Sequence, residues 1–480
     1  MRPVCLASFQ MEEIQMKPNV TRTEAKTGGG NLRRRSFVKA SCAAAGAALA
    51  QQAFNVNAST GAAGTPALLG GPKAHSGGWP KWPHWAPETD EANLLKVIRS
   101  GVWSRAGVVS EFERRWAEAM GAKRCLAVVN GTNALITALA QLDVGAGDEV
   151  ILPPYTFIAT PQSILMNGAI PVFCDIDPAT YQIDPKKLEA KITPRTRAIL
   201  PVHILGLPAD MTAIMSIAKK HGLVVVEDAC QAWMAEINGK KCGTFGNAGC
   251  YSFQNSKNMA IGEGGAIVSD DGAFIDRCFS YHNYGNAYGT AVGSVGSGTP
   301  MLGTKQRITE YQAAIGLAQL ARLPQEAETR HANAEYLRGR IKDIPGIVPY
   351  EFSPGVTRAA FHLFPFRYRQ EAFGGGLTRD AFLKALTAEG VPCSSGYAPL
   401  NKMAYVRHAF QTKNFRRMYD EKDLDYAAWM EHNQCPENDR LCTEMVWLSQ
   451  NLLLADRAAM DDIAKAIEKI HANADKLAKA

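Results

Sequence analysis

No stretch of this 480-residue chain is apolar for long enough to cross a bilayer, so a membrane-spanning protein is not expected. No two of its eleven cysteines have CxxC spacing to suggest zinc, and no metal is expected. Nine cysteines follow residue 58, an odd number that excludes complete pairing. Most lie among apolar residues or glycines, where a thiol is a small hydrophobe. Only Cys435 and Cys442, in CPENDRLC, are placed so that an oxidising compartment would let them join. A charge excess is also missing from the body of the chain. Of the six surplus positive charges, five lie in residues 1–58, where eight basic side chains face three acids. Nothing electrostatic remains to attract nucleic acid.

What is present is an ordinary globular composition, 46% apolar and 20% charged, in a chain long enough for two compact units. Residues 1–58 read as a leader. RRRSFVK at Arg33–Lys39 precedes ASCAAAGAALA, and the pair Arg34-Arg35 resembles a twin-arginine export signal. The expectation is a periplasmic or secreted protein with no membrane segment in its mature form; the alternative is a cytoplasmic one. Residues 59–89 are Gly- and Pro-rich and read as a linker. A large domain is expected over 90–325 and a smaller C-terminal one over 326–480.

In the large domain, apolar runs alternate with amphipathic ones: CLAVVN, GTNALITALAQL, DEVILPP, YTFIATPQSILMNG, IPVFCDID, TRAILPVHIL, DMTAIMSIAKKHG, LVVVEDA. Continuous apolar strands alternating with helices predict an α/β fold, a mostly parallel sheet between helices. The C-terminal unit has an α+β pattern. In such sheets ligands lie beyond the carboxyl ends of the strands. Gly131-Thr132, Asp228 and the segment Ser252–Lys257 all fall there.

Asp228 and Lys257 are charges set among apolar residues and glycines, where an unpaired charge is costly. Pyridoxal 5′-phosphate would account for both. Its aldehyde takes a lysine amine, and its ring nitrogen needs an acid to keep it protonated. Its phosphate needs donors, which the helix start at Gly131–Asn133, the Thr132 hydroxyl and the Ser252 hydroxyl offer. Phe157, at the next strand end, is placed to cover the ring.

From about Gly71 onward the chain also resembles the DegT/DnrJ/EryC1/StrS aminotransferases. The matching stretches are GTNAL, GDEVILPPYTFIAT, GAIPVFCDID, EDACQA, SFQNSKNMAIGEGGA and TEYQAAIGLAQL, in that order. GGPKAHSGGWPKWP and GTKQRITEYQAA narrow the likeness toward cyclitol (scyllo-inosose) aminotransferases and aminohydroxybenzoate synthase. The resemblance implies the aspartate-aminotransferase fold (fold type I) and a homodimer. By position it makes Lys257 the cofactor-bearing lysine and Asp228 the partner of the ring nitrogen. Gln231 would bond the ring's phenolic oxygen. Lys305 would stand where the family often has an Asn, in a loop reaching the neighbouring subunit's phosphate site. A second departure is Trp233, where His is common after QA; its indole is expected either to wall the cleft and shape the acceptor's place or to pack in the core.

The family's sugar dehydratases carry His at the lysine position, so Lys257 favours transamination. The expected reaction moves an amino group from glutamate or glutamine to a keto-sugar or keto-cyclitol. The alternatives are a lyase or dehydratase using the same cofactor, and a non-catalytic, cofactor-binding sensory protein.

Overall fold

The computed structural model describes residues 64–290, 299 and 301–480; the leader expected at 1–58 lies outside them. Seven strands form the main sheet, in the spatial order Arg124–Val128, Gly265–Ser269, Ala248–Ser252, Val224–Asp228, Thr196–Ile199, Glu149–Leu152 and Ile170–Phe173. Only Gly265–Ser269 runs antiparallel to its neighbours. The mostly parallel sheet read from the sequence is therefore present.

Its strands carry apolar residues on both faces because both faces are covered. Val226 faces one core and Val225 the other; Val150 and Leu152 oppose Ile151 in the same way. Helix Gly131–Gln141 starts where Asn130 turns its side chain to accept the backbone N–H of Asn133, at 2.9 Å. Helix Glu310–Ile341 begins with a capping box, Thr309 and Gln312 satisfying each other's backbone N–H groups. That helix runs unbroken across the boundary expected at 325/326. Beyond it lies a three-stranded antiparallel sheet of Ile347–Pro349, Leu363–Tyr368 and Met445–Ser449. Cys435 and Cys442 are buried free thiols.

The stretch whose composition reads as a linker is tied down from residue 67. The fully buried Glu389 side chain accepts the backbone N–H groups of Ala67 and Ala74, at 2.7 and 2.8 Å, and pairs with Lys469. Glycine and proline supply the turns of this strap, and one distant carboxylate fixes it. No described helix is long and apolar enough to cross a membrane.

Candidate active site

A cavity of about 660 Å³ opens at the carboxyl ends of the parallel strands. It is walled by Gly131, Thr132, Phe157, Asp228, Gln231, Ser252 and Lys257, seven of the residues singled out from the sequence. Val224–Asp228 and Ala248–Ser252 are adjacent parallel strands, with Asp228 opposite Cys250. That pairing explains why residues 24 positions apart meet.

Asp228 is nearly buried. Its Oδ2 accepts the Thr160 hydroxyl at 2.8 Å, and its Oδ1 accepts the Cys230 N–H at 3.1 Å. Thr160 spends its only proton on Asp228, so the Thr156 hydroxyl, 2.8 Å away, donates to Thr160. The carboxylate is thus held by a relay of two threonines that line the same cavity.

Lys257 has its backbone fixed on both sides. Its N–H donates to Gln254 O at 2.8 Å, and its carbonyl accepts the Trp82 indole N–H at 3.0 Å. Its amine has no hydrogen bond or ion pair among the described residues. Burial pulls the ammonium below its ordinary value, against the opposing charge of Asp228. An unpartnered, easily deprotonated amine facing a carboxylate across one cavity suits carbonyl chemistry.

The phosphate end is built by close approach. A Cβ added to Gly131 would lie 2.7 Å from Cys230 Sγ and 2.8 Å from Ser252 Cβ, so only glycine lets this helix start approach Ser252. Gly131, Thr132 and Ser252 then line the same space, with two hydroxyls and a helix start among them. Asn133 does not join them. Its N–H belongs to the Asn130 cap, and its side-chain oxygen accepts from Gln306 at 2.9 Å. The expectation that it contributes a phosphate donor is corrected by that capping role.

Gln231 lines the cavity, its Oε1 accepting Leu205 N–H at 2.7 Å and its Nε2 donating to the Tyr397 hydroxyl at 3.0 Å. One amide hydrogen remains free for a ligand. Phe157 stands at the mouth, 53% exposed. Lys305 is exposed and outside its own chain's cavity, paired with Asn283 in a single bridge.

Trp233 requires the larger correction. It is fully buried, packed in the core beneath the site, and does not line the cavity. In the tight turn after Asp228, Gln231 faces the cavity while Trp233, two residues on, turns down among Ala229, Ala232 and Ala235. Its ring meets that of His362, which lines the cavity, edge-on at 5.8 Å between ring centres.

Sequence reasoning missed His362, Tyr397 and Trp447, which wall the cavity from the C-terminal part. His362 Nδ1 meets Asn258 Oδ1 at 3.2 Å, and Asn258 gives its Nδ2 to Ala360 O, so the His362 proton sits on Nδ1. Burial first, then the charges of Lys257 and Arg330, hold this imidazole neutral. Its Nε2 is left as an acceptor. Burial raises the Tyr397 hydroxyl to about 12, so Tyr397 stays protonated. The available signal was thin: FHLFPFRYR read only as a strand, and Thr160 as part of a helix.

Residues 86–422 match the DegT/DnrJ/EryC1/StrS aminotransferase family. L-glutamine:2-deoxy-scyllo-inosose aminotransferase of Streptomyces kanamyceticus is 35% identical over 406 residues, covering 82% of this chain and 93% of that protein. 3-amino-5-hydroxybenzoate synthase of Amycolatopsis mediterranei is 33% identical over 406 residues, covering 81% and 97%. The crystal structure of 3-amino-5-hydroxybenzoic acid synthase superposes with a TM-score of 0.70 at 32% identity, over 82% of this chain and 99% of that one. The fold is therefore that of the type I pyridoxal-phosphate enzymes, and Lys257, Asp228 and the Gly131–Ser252 cradle fit that cofactor. The chain belongs to the DegT/DnrJ/EryC1/StrS family and is a pyridoxal-phosphate-dependent aminotransferase.

Proposed function

We propose that this aminotransferase takes its amino group from glutamine and delivers it to a keto-cyclitol. The carrying observation is the cavity itself: Lys257 is the one cation among its described lining residues, beside the neutral polar groups of His362, Tyr397, Gln254 and Ser256. A neutral polyol suits such walls better than a phosphorylated sugar does. The named scyllo-inosose relatives support the same substrate class.

Pyridoxal phosphate, when bound, supplies a carbonyl for the amine and an electron-withdrawing ring. Asp228, steadied by Thr160, keeps a proton at the ring nitrogen by charge attraction in a poorly hydrated site. Gly131, Thr132 and Ser252 hold the phosphate, and Gln231 offers its free amide hydrogen to the ring's oxygen. The Lys257 amine, deprotonated with help from burial, takes a proton from the donor's α-carbon and returns one to the acceptor's carbon. His362 Nε2 accepts a hydrogen bond from a hydroxyl of the polyol. The donor leaves as its 2-oxo acid, and the acceptor's carbonyl becomes a primary amine.

We also read the enzyme as a homodimer in which Lys305 meets the partner's phosphate site; the exposed Tyr284, Leu302 and Trp103 support a covered surface. Export through the Arg34-Arg35 signal remains part of the proposal. The direct test is incubation with glutamine and scyllo-inosose-type ketones. Glutamine should bleach the visible band, and a ketone should restore it with formation of an aminocyclitol. Bleaching without nitrogen transfer would point to the lyase reading.

A further inference from the structure

The motif GGPKAHSGGWPKWP, at Gly70–Pro83, has no part in the chemistry above, yet it is fastened at several points along its length. Its first half is held to the C-terminal part. Beyond the Glu389 contacts, Trp79 Nε1 donates to Gly390 O at 2.8 Å, and its ring stacks on His75 at 4.0 Å. Asn451 Nδ2 then holds Pro80 O at 2.8 Å. Two residues later the strap crosses to the main sheet and ends on Lys257, whose carbonyl takes the Trp82 indole N–H.

Trp82 is itself fixed from the far side. Its ring lies under the Arg330 guanidinium, 5.1 Å from the carbon to the ring centre. Arg330 is fully buried, bonded to Gln450 Oε1 at 2.8 Å and paired with Glu326 at 3.1 Å. Past Trp82, Gln319 Nε2 donates to His84 O at 2.7 Å. The indole N–H is therefore a donor on a rigid mount, not a side chain that happened to find an acceptor.

We propose that Trp82 is a positioning residue for Lys257: the strap sets the lysine's backbone, and so the reach of its amine, against the cavity wall carried by the C-terminal part. Lysine has four rotatable side-chain bonds, so its amine is placed only as well as its Cα. Within that turn the Lys257 backbone itself makes one bond, to Gln254 O. The Trp82 bond supplies the second, and Asn258, bonded to Ala360 O, extends the same restraint toward His362. The inference rests on Lys257 being the cofactor-bearing lysine.

The experiment begins with that premise. Borohydride reduction of the holoenzyme and peptide mapping should label Lys257. A label on another lysine would sink the catalytic reading and this inference together. Trp82→Phe then keeps a smaller aromatic ring under Arg330 and removes the N–H donor. Release of pyridoxal phosphate on dialysis should quicken about 10-fold, and the pH midpoint of the visible band should move, because small displacements of a reacting group are costly. The matched Trp79→Phe removes a bond of the same kind, to Gly390, with no contact to Lys257. It should lower thermal stability and leave midpoint and release rate unchanged. If Trp82→Phe does not fold, benzothienylalanine at position 82 keeps the indole's shape with sulfur in place of N–H. Wild-type midpoint and release in the Trp82 variant, or an equal shift in the Trp79 variant, would overturn the proposal while leaving Lys257's role intact.

Discussion

The Thr160 hydroxyl donates to Asp228 Oδ2 at 2.8 Å, so the acid that faces the cavity is oriented by a side chain that does not reach across it. Asp228→Asn removes the charge and keeps the shape. Turnover should fall on the order of 10²-fold or more with cofactor still bound. Thr160→Val leaves the charge but strips its donor and should cost about 1–3 kcal/mol of carboxylate stabilisation. Steady-state kinetics with cofactor occupancy measured in parallel separates the two effects. Near-wild-type turnover in Asp228→Asn would reduce the acid to a structural role.

Burial of Lys257 makes the cofactor-free protein pH-sensitive in a definite direction. Its ammonium is disfavoured in the folded state, so the unfolded chain binds more protons between the lowered folded pKa and the ordinary value of 10.5. Stability from this group therefore rises with pH through that window. Lys257→Met should be more stable than the wild type at neutral pH, and the gap should narrow as pH climbs toward 10.5. Thermal melts of both apo proteins across pH give the difference directly. A constant gap would mean that the amine is well solvated.

Trp233, buried beneath the site, should behave as core. Trp233→Ala is expected to cost about 3–5 kcal/mol of stability. Trp233→His, which restores the family's usual side chain, should change both half-reactions alike by whatever it does to His362. A change confined to acceptor preference, measured as relative kcat/KM across ketones, would return Trp233 to the substrate's neighbourhood.

The leader makes a separate claim. Replacing Arg34 and Arg35 with Lys keeps the charge but removes a receptor-read signal, so the folded enzyme should accumulate inside the native host. Fractionation measures it, and an unchanged distribution would favour a cytoplasmic enzyme.

Legibility followed chain separation. Asp228, Ser252 and Lys257 lie within 30 residues and at the ends of adjacent parallel strands, so period and spacing place them together. Tyr397 and Trp447 reach the cavity through the docking of an antiparallel sheet, and no local pattern announces a docking geometry. Trp233 was misplaced by two residues of a tight turn, since neighbouring positions there face opposite sides. The strap was misread because composition reports what a segment can bend around. It does not report that Glu389, more than 300 residues away, will hold it.

The strap also says where this protein can be cut. The family match runs over residues 86–422 and would serve as a natural guide for trimming the chain. A piece with those ends would lack Trp82 and Trp447, one holding Lys257 and the other walling the cavity. It would also leave the Glu389 carboxylate in an apolar interior stripped of Ala67, Ala74 and Lys469. A buried carboxylate without donors is costly enough to unfold a marginal domain. Homology therefore marks the chemistry's territory here, while a piece expected to fold must also keep Ala67, Ala74 and Lys469.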